Sequence, residues 1–216
     1  MVVADALGGQ PAQRTPPAPP NQPAQPARRT PAAQRILDVA SELFYRHGIH
    51  AVGVDTIAAE SGITKRTLYD RFGAKDALVT AYLQARHDGW WTRLETRLAD
   101  APAPRALTLI DAYTRDALPT DRGCAFLNAA GELPQEHPAF AVIRAHKRAV
   151  RERLEHLVRS DHPRIDDAAD VADHLFLLIE GAIAHRGIDG DQLLDRARTI
   201  AARLLGTTAS GADASR

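Results

Sequence analysis

Cysteine is nearly absent: Cys124 is the only one in 216 residues. A single thiol excludes an internal disulfide framework and fits a reducing compartment, so a cytoplasmic protein is expected. Neither sign of charge is in excess. The formal net charge is +0, so any polyanion has to be held by a local patch rather than by the whole surface. No apolar run approaches the length of a membrane span, and the first residues lack the basic and hydrophobic regions of a signal peptide. No stretch alternates with the two-residue period of a strand. Catalytic signatures are missing as well: there is no nucleophile elbow, phosphate loop or HExxH pattern, and Ser41, Ser61 and Ser160 stand outside any motif, so no enzyme is expected. The chain has 9 histidines, but His174 and His185 lie about three helical turns apart with no Cys or acidic residue at ligand spacing. No metal and no cofactor is expected.

What the chain does contain is helical periodicity with clear punctuation. Residues 1–29 are rich in Pro, Ala and Gln with little to bury and read as a disordered tail; residues 207–216 read as a flexible C-terminal tail. Arg28 and Arg29, at the end of the first tail, read either as a solvated pair or as an arm entering a minor groove. Thr30-Pro31 then opens a helix with a hydroxyl cap and a proline where no N–H is needed. Ile36, Leu37, Ala40, Leu43 and Phe44 recur at helical spacing until Gly48 ends the run. Asp55 is the expected cap of a second, short helix carrying Ile57, Ala58 and Ala59 and closing at Ser61-Gly62. Thr64 is the expected cap of a third, with Leu68 and Phe72 pointing inward.

This third helix is the most informative part of the chain. At about 100° per residue, Arg66, Thr67, Tyr69 and Asp70 fall on its outer arc, flanked by Lys65 and Arg71. Lys65, Arg66, Arg71 and Lys75 oppose Asp70 alone between residues 65 and 75. That is a basic edge on a neutral protein. Three helices whose last two meet at a glycine turn form a helix-turn-helix unit, which places such an edge in a DNA groove.

From Arg35 to Leu78 the chain resembles the tetracycline-repressor (TetR) family of bacterial transcriptional regulators. The resemblance rests on the first helix ending at Gly48, on Ile57-Ala58-Ala59-Glu60-Ser61-Gly62-Ile63, on Thr67-Leu68-Tyr69 with Phe72, and on Lys75 at the start of a long helix. It implies an all-α fold of about nine helices, with a DNA-binding domain over residues 30–75 and a ligand-binding and dimerisation domain over residues 76–206. Among the DNA-contact residues it implies, Lys65, Arg66 and Thr67 match positions that reach bases or nearby phosphates. Tyr69 and Lys75 match positions that hold the phosphate backbone, Arg71 is placed to reach a phosphate, and Thr64 is first of all a helix cap. Asp70 departs from the pattern; it either pairs with Arg66 or accepts from a cytosine amino group.

Beyond Lys75 a fourth helix is expected to Leu98, then helices over about 105–118 and 124–133, a seventh opened by His137-Pro138 with Leu157 still inward and Pro163 beyond its end, an eighth over about 167–186 and a ninth from Leu193 to Leu204, with Pro102, Pro104, Pro119 and Pro163 as breaks. The eighth is apolar almost all round between Leu175 and Ile183, so it reads as a helix needing a partner on two sides. By the resemblance the last two long helices form a homodimer interface, here Leu175, Leu178, Ile179, Ala182, Leu194, Ala197 and Ala201; the other reading is an ordinary monomer core. The resemblance also places a small-molecule effector in the C-terminal core. Trp90, Trp91, Tyr113, Phe126, Asn128, His146, Phe176 and Glu180 are the aromatic and polar residues available there, each as readily packing as cavity wall. Cys124 beside Ala125 and Phe126 reads as a small buried side chain rather than a redox switch. The expected partners are an operator in double-stranded DNA, a second copy of the chain and an effector, with no membrane. A repressor released by its effector is the expected function; a DNA-binding regulator or architectural factor without a ligand is the alternative.

Overall fold

The computed structural model of the chain describes residues 30–115 and 122–206. The expected tails, Arg28 and Arg29, and the end of the fifth helix at Leu118 lie outside the described residues. The elements are α1 (Pro31–His47), α2 (Val54–Ser61), α3 (Lys65–Phe72), α4 (Lys75–Ala99), α5 (Arg105–Arg115), α6 (Ala125–Glu132), α7 (Ala139–Asp161), α8 (Ala168–Ala184), α9 (Arg186–Asp189) and α10 (Gln192–Leu204). The nine expected helices are present. The further single turn α9 splits off where the eighth helix was expected to run on to Arg186.

The punctuation is local chemistry. Thr30 Oγ1 accepts from the Ala33 amide at 3.3 Å, capping α1 with Pro31 in its first turn. Gly62 adopts φ 66°, the Gly62 amide donates to Ala59 O and the Ile63 amide to Ala58 O, each at 3.2 Å. This paired closure needs a left-handed residue and gives the tight turn between α2 and α3. One expectation fails here: α2 begins earlier than Asp55, with Gly53 at the cap position. Asp55 lies inside the first turn, where its carboxylate is taken by Lys65 of α3.

Two cores fill the molecule. The first joins Ile36, Leu37, Phe44, Ile57, Leu68 and Leu83 to Phe126, Ala129, Ala139 and Ile143, so the packing of α1–α3 continues into α4, α6 and the first turns of α7. The second joins Leu94, Leu109, Tyr113, Leu154, Leu175, Ile179, Leu194 and Ala201 across α4, α5, α7, α8 and α10. Both α4 and α7 run through the two cores and tie them together.

Candidate nucleic-acid interface and the cavity behind it

Helix α3 presents its polar side to solvent because Leu68 is fully buried under it, with Phe72 packed against the same core. Thr64 Oγ1 accepts from the Thr67 amide at 3.2 Å, and the two hydroxyls lie 2.9 Å apart. The cap therefore sets the start of α3 and holds the Thr67 side chain as well. Arg66, Tyr69, Asp70 and Arg71 are exposed, Tyr69 at 40%. A ring with a phenol at its tip, set between guanidinium groups, is suited to phosphate and groove contacts.

The structure corrects three details of this surface. Among the described residues no ion pair joins Asp70 to Arg66; the pair that forms is Lys65 to Asp55, with Nζ–Oδ1 at 2.9 Å. The hydrogen bond and charge of Asp55 raise the Lys65 pKa. Lys75 is turned inward: its Nζ donates to Ile49 O at 2.7 Å and lies 5.9 Å from the centre of the Phe44 ring. It fastens the loop after α1 to the start of α4, which is a positioning role that no local spacing reveals. Arg66 and Arg71 are thus the cations of α3 that have no acidic partner among the described residues.

Besides the shared core, polar contacts to the segment before α6 and to its end hold α1 and the loop after it to the rest of the chain. Tyr45 Oη donates to Gly123 O at 2.7 Å. Glu132, at the end of α6, accepts from the Ile49 amide at 2.5 Å and the His50 amide at 3.1 Å, and Arg122 donates to Arg46 O at 3.1 Å. Gly123 has no room for a side chain, since a Cβ there would lie 2.8 Å from Ile183 O. Its backbone is pinned between α1 and α8.

A cavity of about 310 Å³ opens beside this anchor, where the two cores part. Of the eight residues expected to line it, Trp90, Tyr113, Phe126 and His146 do. The other four do not. Trp91 is rotated off the cavity, as successive helix residues must be, and stacks on His87 at 5.7 Å. Asn128 donates to Arg122 O at 2.7 Å, Phe176 lies 5.8 Å from the Arg151 guanidinium, and Glu180 is held by Lys147 Nζ at 2.5 Å. Sequence reasoning missed Ser41, Arg86, Arg93 and Ile183 in the lining, and read Cys124, which is also on it, only as a small buried side chain. A signal existed: residues 86, 89, 90 and 93 fall on one face of α4. Tyr113 is buried and its hydroxyl pKa is pushed well up, by desolvation first and then by the Glu180 carboxylate 3.3 Å away.

The expected dimer residues divide three ways. Leu175, Ile179, Leu194 and Ala201 lie inside the chain's own core, because α8 and α10 pack on each other and on α5 and α7. Ala182 and Ala197 floor a shallow groove between α8 and α10, and Leu178 lines its wall. The large apolar side chains exposed on α8 and α10 are instead Leu177 at 66% and Leu204 at 44%, joined by the half-buried Leu193 and Ile200, and Ile188 of α9 is exposed as well. Among the described residues no cluster of three or more His, Cys, Asp or Glu side chains is arranged for a metal ion. No described helix is long and apolar enough to cross a membrane.

Residues 36–82 match the family model for bacterial regulatory proteins of the tetR family. The structure is similar to that of SCO4454, a TetR-family transcriptional regulator from Streptomyces coelicolor, with a TM-score of 0.71 and 30% identity over 81% of this chain and 94% of that one. It is similar also to a TetR transcriptional regulator (sav143) from Streptomyces avermitilis, with a TM-score of 0.70 and 26% identity over 83% of this chain and 100% of that one. The HTH-type transcriptional regulator Rv1255c of Mycobacterium tuberculosis is 35% identical over 88 residues, 40% of this chain, and the match spans 44% of that protein. With its capped recognition helix, its glycine turn and this similarity along almost the whole of a relative, the chain belongs to the TetR family of bacterial transcriptional regulators, DNA-binding proteins rather than enzymes.

Proposed function

We propose that this regulator acts in the cytoplasm as a homodimer, binds a palindromic operator through α3 of each copy, represses transcription by occupying that site, and leaves it when a small molecule enters the cavity beside α4. Residues 30–75 serve DNA and residues 76–206 serve the effector and the second copy. Thr64 and Thr67 set the start of α3; Arg66 reads base edges; Lys65, Tyr69 and Arg71 contact the backbone or nearby bases.

The observation that carries this reading is the shared segment at Gly123. One and the same backbone lines the cavity and accepts the Tyr45 hydrogen bond from α1 at 2.7 Å. A molecule that displaces the cavity wall therefore acts on α1 directly. Two recognition helices have to meet groove positions about 34 to 36 Å apart, or a multiple of that, so a small rotation in each copy misplaces both. Effector and operator then oppose each other by about 1 to 3 kcal/mol, felt equally from either side. The exposed Leu177 and Leu204 support the dimer, since an aliphatic strip of this kind marks a contact surface.

The test is to map bound sites on the host genome, place one between a promoter and a reporter, and express the protein. Reduced expression, restored by a compound that raises the protein's melting temperature, is expected. Raised expression would make the protein an activator and overturn repression while leaving DNA binding intact.

A further inference from the structure

The walls of the cavity specify the chemical class of the molecule that fits it, an argument that rests on the cavity being the effector site. Four rings run together along it. Tyr113 stands edge-on to Trp90 at 5.4 Å, Trp90 edge-on to His146 at 5.4 Å, and His146 lies face to face with Phe126 at 3.8 Å. His146 is 3% exposed, and burial, then the charges of Lys147 and His87, lower its pKa to about 3. The rings meet edge to face rather than in one plane, so the wall is aromatic, uncharged and suited to an unsaturated body that takes both edge and face contacts.

The charged side chains on the lining are Arg86 and Arg93; no Asp or Glu among the described residues is on it. Glu180, which accepts the Tyr113 hydroxyl, is neutralised by Lys147 at 2.5 Å. Arg86 is the informative residue. It precedes Trp90 by one helical turn, and its guanidinium lies 4.7 Å from the centre of the Tyr45 ring and 5.9 Å from that of Tyr82. Among the described residues no carboxylate pairs with it. A guanidinium held by ring faces keeps its edge N–H groups available, and that edge matches a carboxylate in a bidentate way.

We propose that the effector is an organic anion with a planar aromatic body, its carboxylate on Arg86 and its rings along Trp90, His146 and Phe126. A quaternary ammonium, which the rings alone would also suit, is disfavoured by the Arg86 guanidinium on the same lining. A volume of about 310 Å³ is at the small end for ligand sites and favours two or three fused or linked rings. Because Arg86 lies on Tyr45, the anion also pulls on the side chain that bonds α1 to Gly123.

Calorimetric titration of the full chain with naphthalene-2-carboxylate, biphenyl-4-carboxylate and fluorene-2-carboxylate tests this, each beside its primary amide and its trimethylammonium analogue. The carboxylates are expected to bind at least about tenfold more tightly than the amides, as a charge-assisted hydrogen bond implies, and the ammonium compounds more weakly than either. Arg86→Met is expected to erase that advantage while amide binding persists, and Arg86→Lys to restore part of it, with melting curves confirming that both variants fold. An amide or ammonium binding as tightly as its carboxylate, or an advantage that survives Arg86→Met, would overturn the ligand class and leave the cavity as effector site. Binding that survives Ala85→Phe, which fills part of the lumen, or absence of binding by all nine compounds, would overturn the effector-site reading and the ligand class with it.

Discussion

The two ends of this molecule expose opposite chemistry. On α3 the surface is polar, and its one large exposed apolar side chain, Tyr69, carries a hydroxyl among cations. On α8 and α10 the large apolar side chains left exposed are the aliphatic Leu177 and Leu204, set among polar residues such as Arg196 and Arg203. The proposed function gives each surface a partner that suits its chemistry: a polyanion with base edges at one end, another apolar surface at the other. Between them several polar groups are engaged, and Arg86 on the cavity lining is the contrast, with no carboxylate partner among the described residues. Glu132, Tyr45, Lys75 and Lys147 all have internal partners, so the middle of the molecule transmits position rather than binding anything large.

The sharpest way to break this comparison is at α8, where neighbouring leucines have opposite surroundings. Leu175→Ala, inside the monomer core, is expected to lose about 2 to 5 kcal/mol in urea unfolding. Leu177→Asp is expected to leave helical content unchanged while sedimentation shows monomers and operator affinity collapses. If the Leu177 variant sediments as a dimer, the self-association surface lies elsewhere.

At the other end, Arg66→Ala is expected to narrow the gap between operator and random DNA by about 1 to 3 kcal/mol, the range for one bidentate base contact. Competition binding decides it, and an equal loss on both DNAs would make Arg66 a phosphate contact. The middle is tested by pH. His146 has a pKa of about 3 in the fold against an ordinary 6.5, so the unfolded chain binds more protons between those values. Its contribution is complete above pH 6.5 and is lost as pH falls toward about 3, with a slope of up to about 1.4 kcal/mol per pH unit. His146→Gln is expected to remove that part of the slope in urea melts across pH. The smallest effect concerns Lys65. Its partner Asp55 is exposed, so Asp55→Ala is expected to leave stability nearly unchanged. By freeing Lys65 it should steepen the salt dependence of DNA binding by at most about one unit. An unchanged salt slope would show that Lys65 does not reach a phosphate.

The DNA-binding end was legible in the sequence because its determinants are local. Thr30-Pro31, Thr64 and Gly62 each act within a few residues, and the inward Leu68 leaves the outer arc of α3 fixed by geometry. Lys75 was not legible, since the carbonyl that holds it belongs to Ile49, 26 residues away. The same holds for Glu180, whose partner Lys147 is 33 residues away and takes it out of the cavity. In α8 the periodicity itself is uninformative. Leu175, Leu177, Leu178 and Ile179 are equally apolar, and only the packing of α10 and α5 decides that Leu177 is the one left outside.

The most direct measurement is selection of bound sequences from random duplex DNA by the purified protein, with Arg66→Ala and Leu177→Asp as companions. The wild type is expected to enrich a palindrome whose half-sites are centred about 34 to 36 Å apart or a multiple of that. Arg66→Ala should blur positions within each half-site, and Leu177→Asp should lose the palindrome altogether. Enrichment of a single unpaired site by the wild type, or the same palindrome from all three proteins, would contradict the account.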